Sequence, residues 1–211
     1  SSGNRLPERE VTGEDGQKRG MWLADFMKDK RVKHAGPTVT MAHVAALRLY
    51  TTAAFKYIND PLRKGALKAR EERTPHPLPL IVHLITEAAK KLGSWDTEQP
   101  GAHKSLDLYR GMKGLRLADS WAYGVEIAPM STTKDIKVAL QYSLSPDSIL
   151  LRISTPSASS RGVEVSWLSA FPAEEEILYP PLTSLEVRGE PEEYAEDGLK
   201  WTIYTVDATL P

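Results

Sequence analysis

The step at Pro100-Gly101 divides the chain into two periodicities, and few folds accommodate both. Before it, apolar residues recur every three or four positions, the spacing of a helix with one buried stripe. Val44, Leu47, Thr51, Ala54, Phe55 and Ile58 form one such stripe, with Thr38 or Thr40 as cap of a long helix from about Met41. Asn59-Asp60-Pro61 ends it, and Asp60 with Pro61 opens a further helix. Leu80, Leu84, Ala88 and Leu92 form a second stripe, stopped at Gly93. A shorter helix over 21–30 places Met21, Trp22, Phe26 and Met27 on one side. Beyond Gly101 the pattern alternates as in strands, over 105–109, 123–127, 149–153, 163–167, 175–179, 184–188 and 200–206. One helix, about 134–142, interrupts them. The implied class is α+β: a helical N-terminal half packed on a mixed, mostly antiparallel two-sheet β core.

Residues 1–20 are polar and aperiodic and read as a flexible lead-in or vector-derived remnant, with no visible signal peptide. Residues 21–211 read as one domain, helical over about 21–100 and sheet over about 101–211. Residues 1–100 carry 17 Lys and Arg against 12 Asp and Glu, a net of +5; residues 101–211 carry 10 against 16, a net of −6. The overall charge of −1 is not that of a nucleic-acid binder, and the basic run 63–73 reads as a solvated helix face. No apolar run approaches the roughly 20 residues of a membrane span. The chain has no cysteine, hence no disulfide framework, thiolate metal site or cysteine nucleophile. His34, His43, His76, His83 and His103 lack ligand spacing, and no metal is implied; His83 reads as a partly buried, satisfied histidine. No phosphate-binding glycine loop or nucleophile elbow is present.

Three stretches carry candidate chemistry. Phe171-Pro172-Ala173-Glu174-Glu175-Glu176-Ile177-Leu178-Tyr179-Pro180-Pro181 runs three carboxylates into an apolar segment closed by prolines. The prolines exclude a helix. A loop entering a strand at about Glu175 points Glu174 and Glu176 one way and Glu175 the other. This is either a solvated acidic turn or a deliberate carboxylate pair at the mouth of a sheet. Leu108-Tyr109-Arg110-Gly111 ends a strand with an arginine suited to a phosphate and a glycine that admits close approach to the backbone; the same pattern also fits a surface arginine. Pro129-Met130-Ser131-Thr132-Thr133 ends another strand, with Thr133 as a helix cap and Ser131 free to hydrogen-bond a neighbouring carboxylate.

Arginine, serine and Glu-x-Glu, in that order and on separate strands, resemble the arginine-specific mono-ADP-ribosyltransferases of the R-S-E class. The resemblance extends through Val138-Ala139-Leu140-Gln141-Tyr142-Ser143, Arg161-Gly162, Ser169-Ala170, and the helical segment from Leu49-Tyr50-Thr51 to Asn59-Asp60-Pro61-Leu62-Arg63. It covers about residues 40–207. It implies NAD as substrate, ADP-ribose transfer to arginine of a target protein, and no metal. Glu176 would then stabilise an oxocarbenium-like ribose, oriented by Ser131. Arg110 would hold a phosphate, with Gly111 and Thr132 also at the cofactor, and Glu174 would engage the guanidinium. Phe171 and Trp167 would lie in the substrate-recognising turn or simply pack there. Tyr109, Trp121 or Tyr123 would supply an aromatic wall, and Arg161 a second phosphate contact. The alternatives are an NAD glycohydrolase, with water as acceptor, and a catalytically silent NAD-binding module. A monomer is expected. Without cysteines, a toxin or effector acting in a cytosol fits better than a disulfide-bonded ectoenzyme.

Overall fold

A computed structural model of the chain describes residues 10–12, 18–68, 72, 74–114, 117, 121–144, 148–196 and 199–211. Within the stretch read as a loose lead-in, β1 (Glu10–Thr12) and β2 (Lys18–Gly20) pair antiparallel. The α-helices among the described residues are α1 (Leu23–Phe26), α2 (Lys30–Ala35), α3 (Met41–Tyr50), α4 (Phe55–Ala66), α5 (Pro79–Thr97) and α6 (Ile136–Tyr142). The strands are β3 (Leu106–Lys113), β4 (Tyr123–Glu126), β5 (Met130–Thr133), β6 (Ser148–Thr155), β7 (Val163–Glu164), β8 (Glu176–Tyr179), β9 (Thr183–Val187), β10 (Glu192–Glu196) and β11 (Leu199–Thr209).

The helical layer departs from the sequence reading in instructive ways. Thr40 does cap α3, with His43 Nδ1 2.8 Å from its hydroxyl. The long helix expected through Ile58 instead breaks at Thr51. The Thr51 and Thr52 hydroxyls donate to the carbonyls of Arg48 and Leu49, so local hydroxyls compete with the helical ladder. Pro61, expected to start a helix, lies inside α4. α5 continues through Gly93 to Thr97, and its buried residues are Ile85, Ala88, Ala89 and Leu92 while Leu80 is exposed. The 21–30 helix is split into α1 and α2, with Asp29 accepting from Arg31 N as the cap of α2. His83 is exposed on α5, not partly buried.

Nine strands join in the order β4-β9-β11-β6-β3-β5-β8-β7, with β10 on the free half of β11. Among the described residues only β11 and β6 run parallel. The two-sheet expectation becomes one continuous hydrogen-bonded path with a narrow waist. β3 pairs with β6 over all of Leu106–Lys113, but with β5 at Tyr109↔Thr133 alone. β5 runs on past Thr133 into α6, and on the other side of that pair its residues Met130–Thr132 diverge from β3, so Arg110 onward has no strand partner on this edge among the described residues.

Helices α3 and α5 bury Val44, Leu47, Ile85 and Leu92 against Leu168 and Leu178. Leu108, Met130, Ile153, Ile177 and Val206 form a second cluster on the sheet. A third cluster sets α6 on β3, with Ala139 and Leu140 against Leu150, Trp201 and Ile203. There, a Cβ added to Gly111 would overlap the Ala139 carbonyl and stand 3.0 Å from Ser143 Cβ. The space read in the sequence as room for a ligand is filled on that side by α6. Gly111→Ala is therefore expected to cost about 2–3 kcal/mol, lowering the melting temperature by several degrees. An unchanged melting curve would mean that α6 does not pack this closely.

Candidate active site

The waist of the sheet is where the candidate residues meet. Because β5 leaves β3, the next ladder position is taken by a side chain: Arg110 Nη1 donates to the Ser131 carbonyl at 2.7 Å. Its Nε is buried without a partner. Burial pulls the guanidinium below its ordinary pKa, opposed by Glu126. Around it, Tyr50 Oη donates to the Pro129 carbonyl at 2.9 Å, and Asn59 Nδ2 reaches Tyr50 Oη at 3.1 Å. Burial raises the Tyr50 phenol to about 12, so it stays a neutral donor. Asn59 Oδ1 is likewise buried and unpartnered. Arg63 of α4 forks onto Glu126 at 3.2 and 3.0 Å. The buried Arg110 Nε is a donor that an anionic oxygen would satisfy, and the buried Asn59 Oδ1 an acceptor that a hydroxyl or amide N–H would satisfy.

Glu176 opens β8 opposite Thr133 and is only 6% exposed. Burial raises its carboxyl to about 7; Glu174 adds to the rise, and a Ser131 side-chain hydrogen bond and Arg110 oppose it. Ser131 thus touches the site twice, with its carbonyl on Arg110 and its side chain on Glu176.

The strand expected from about Glu175 begins at Glu176. Pro172–Glu174 forms a 3-10 turn, and Glu175 adopts a left-handed conformation at φ 46° before the strand starts at Glu176. The turn gives the same outcome by another route: Glu175 is exposed, and Glu174 remains close enough to Glu176 to raise its pKa. Thr133 is not the cap of α6, which is Asp135, accepting from Lys137 N at 2.9 Å. The Thr133 hydroxyl donates to the Glu174 carbonyl at 2.6 Å and so holds the acidic turn. The Thr132 hydroxyl is directed inside the sheet, to the Ile177 carbonyl at 2.8 Å.

The loop before the turn is pinned to the helical layer. Arg48 Nη1 donates to the Leu168 carbonyl at 2.6 Å, and Ala170 N donates to Thr51 Oγ1 at 2.9 Å. Trp167 packs edge-on to Phe26 beneath the Arg31 guanidinium, whereas Phe171 is 55% exposed. The aromatic-wall candidates disperse. Tyr109 joins the α6 cluster, Trp121 packs edge-on to Tyr204, and Tyr123 hydrogen-bonds Ser184 on β9. Arg161 binds Thr155 Oγ1 and the Lys104 carbonyl, closing a loop.

Four side chains at the site escaped the sequence reading as site residues: Tyr50, Asn59, Glu126 and Tyr142. Tyr142 Oη donates to Glu174 Oε1 at 2.7 Å. Its signal was present, seven residues beyond the Asp135 cap on the exposed side of a short helix. Among the described residues no group of three metal-ligating side chains occurs, and no helix is long and apolar enough to cross a membrane.

Several solved structures share this architecture. Plx2a, an ADP-ribosyltransferase toxin from Paenibacillus larvae, superposes with a TM-score of 0.62 at 17% identity, over 89% of this chain and 94% of that one. The ADP-ribosyltransferase HopU1 of Pseudomonas syringae pv. Tomato DC3000 gives 0.62 at 20% identity, over 94% and 92%. The ADP-ribosyltransferase Vis, a toxin from Vibrio splendidus, solved in complex with agmatine, gives 0.56 at 18% identity, over 89% and 84%. No curated protein sequence matches the chain. The family model for NAD:arginine ADP-ribosyltransferases matches residues 16–203, nearly the whole chain. The chain belongs to the NAD:arginine ADP-ribosyltransferase family.

Proposed function

We propose that the chain moves ADP-ribose from NAD to arginine side chains of a target protein and releases nicotinamide. The observation that carries this is Glu176, a buried carboxylate hydrogen-bonded by Ser131, with a second carboxylate, Glu174, on the turn before it and Arg110 near enough to act on its charge. In the reaction the bond from ribose C1′ to the nicotinamide nitrogen breaks, its electron pair leaves with the neutral base, and C1′ becomes cationic. A carboxylate in a poorly solvated site stabilises that charge far more than one in water. Arg110, with its Nε unpaired, is the group to hold a phosphate. A guanidinium nitrogen of the acceptor then bonds to C1′ and gives its proton to Glu174. An acidic turn suits a cationic acceptor, and the similar protein Vis has been solved with agmatine, a free guanidino compound.

The test is incubation with labelled NAD and agmatine. Label on agmatine is expected; nicotinamide release without labelling would favour the glycohydrolase, and no turnover the silent module.

The carboxyl of Glu176 sets a pH dependence. Only its ionised form stabilises the cation, and burial raises its pKa to about 7. Nicotinamide release is expected to rise with pH through about 7 and level off above it. A profile already flat from pH 5 upward would remove Glu176 from this role.

A further inference from the structure

Glu174 is half-exposed on a one-turn element, and its long side chain has no rigid support of its own. Two contacts hold it. The Thr133 hydroxyl fixes its backbone carbonyl at 2.6 Å, and the Tyr142 phenol fixes its carboxylate, donating to Oε1 at 2.7 Å. Both come from the single run that leaves β5 and forms α6, which is itself locked onto β3 at Gly111. Tyr142 closes that helix, about half of its surface exposed, and its ring stands near both carboxylates of the site. Glu174 Oε2 has no other hydrogen bond among the described residues.

The geometry points to Tyr142 as the positioning residue that aims Glu174 at the guanidinium acceptor: its phenol engages Oε1 and leaves Oε2 to the incoming cation. This rests on the reading of Glu174 as the group that receives the acceptor's proton. A hydroxyl on a carboxylate is a strong, directional contact, and it removes rotamer freedom before the acceptor arrives. The hydroxyl faces Glu174 rather than the ribose-facing carboxylate, so its loss should fall on the acceptor step more than on nicotinamide release.

Tyr142→Phe removes the hydroxyl and keeps the ring. With labelled NAD and agmatine, transfer and nicotinamide release are measured together. The ratio of transfer to hydrolysis is expected to fall about 5- to 10-fold, through kcat/KM for agmatine, while KM for NAD changes less than about 2-fold. An unchanged ratio would overturn the proposal, since the hydroxyl would then be a bystander. So would a parallel fall in both activities with a raised KM for NAD, or a lowered melting temperature that accounts for the loss, because the residue would then serve the fold or the nucleotide. If the unsubstituted chain releases nicotinamide but labels no agmatine, the arginine reading fails first and Tyr142's role falls with it. That outcome is visible without the variant.

Discussion

Glu176→Gln is expected to slow NAD cleavage by at least about 10²–10³-fold while raising the melting temperature at pH 8. The loss follows from electrostatics. A single well-placed group facing a developing charge contributes about 3–4 kcal/mol to the transition state, and glutamine keeps the shape without the charge. The gain in stability has the same origin. Glu176 is 6% exposed, and burial lifts its carboxyl from 4.5 to about 7. Below pH 4.5 folded and unfolded chains both hold the proton, and the site costs nothing. Between 4.5 and about 7 the unfolded chain releases the proton while the folded one retains it, so stability falls as pH rises. Above about 7 the penalty is fully present, and the displacement corresponds to about 3 kcal/mol. Thermal melts of both chains at pH 8 and pH 4.5 test this. The variant should melt several degrees higher at pH 8, and the gap should close at pH 4.5. A variant that is inactive yet melts lower at pH 8 would show that Ser131 and Arg110 already compensate the buried charge.

The candidate site residues stand out in the sequence more sharply than the helix boundaries do. Arg110, read as ending a strand, lies inside β3, and Ser131 and Glu176 stand at the starts of β5 and β8; each is a polar interruption of an apolar stretch that includes Leu108, Met130 or Ile177. The strand expected from about Glu175 starts one residue later, because Glu175 takes a left-handed φ in a turn that is held from afar by Thr133 on β5. The break between α3 and α4 was missed for a related reason. Thr51 fits a helical stripe, and its choice to bond Ala170 N depends on a loop 119 residues away. The waist between β3 and β5 was equally invisible. Nothing in Tyr109 or Thr133 signals that one pair will carry the junction, because the split depends on α6 closing over Gly111. Tyr142 reads as an ordinary helical residue and Asn59 as part of a helix-ending signal until the fold carries them to Glu174 and to Pro129.

Glu174→Gln is expected to abolish transfer to agmatine, by about 10²-fold or more, while nicotinamide release falls far less. The two glutamates face different charges. On the proposed reading, the buried Glu176 would meet a cation that forms at the ribose whichever acceptor follows, and Glu174, partly exposed on its turn, would meet what arrives from solvent. Glutamine at 174 still accepts a hydrogen bond from Tyr142, so the turn keeps its shape. What it cannot do is attract a guanidinium or take its proton, and a protonated guanidinium has no lone pair for C1′. Water needs no such help against a strongly electrophilic ribose, so hydrolysis persists. Removing the negative charge beside Glu176 also takes away one cause of that residue's raised pKa, so the rise in residual hydrolysis with pH should move to lower pH. Assays of transfer and release over pH 5 to 9 read both effects at once. Equal losses of the two activities would mean that Glu174 acts on the ribose. Intact transfer would mean that the acceptor's proton leaves by another route.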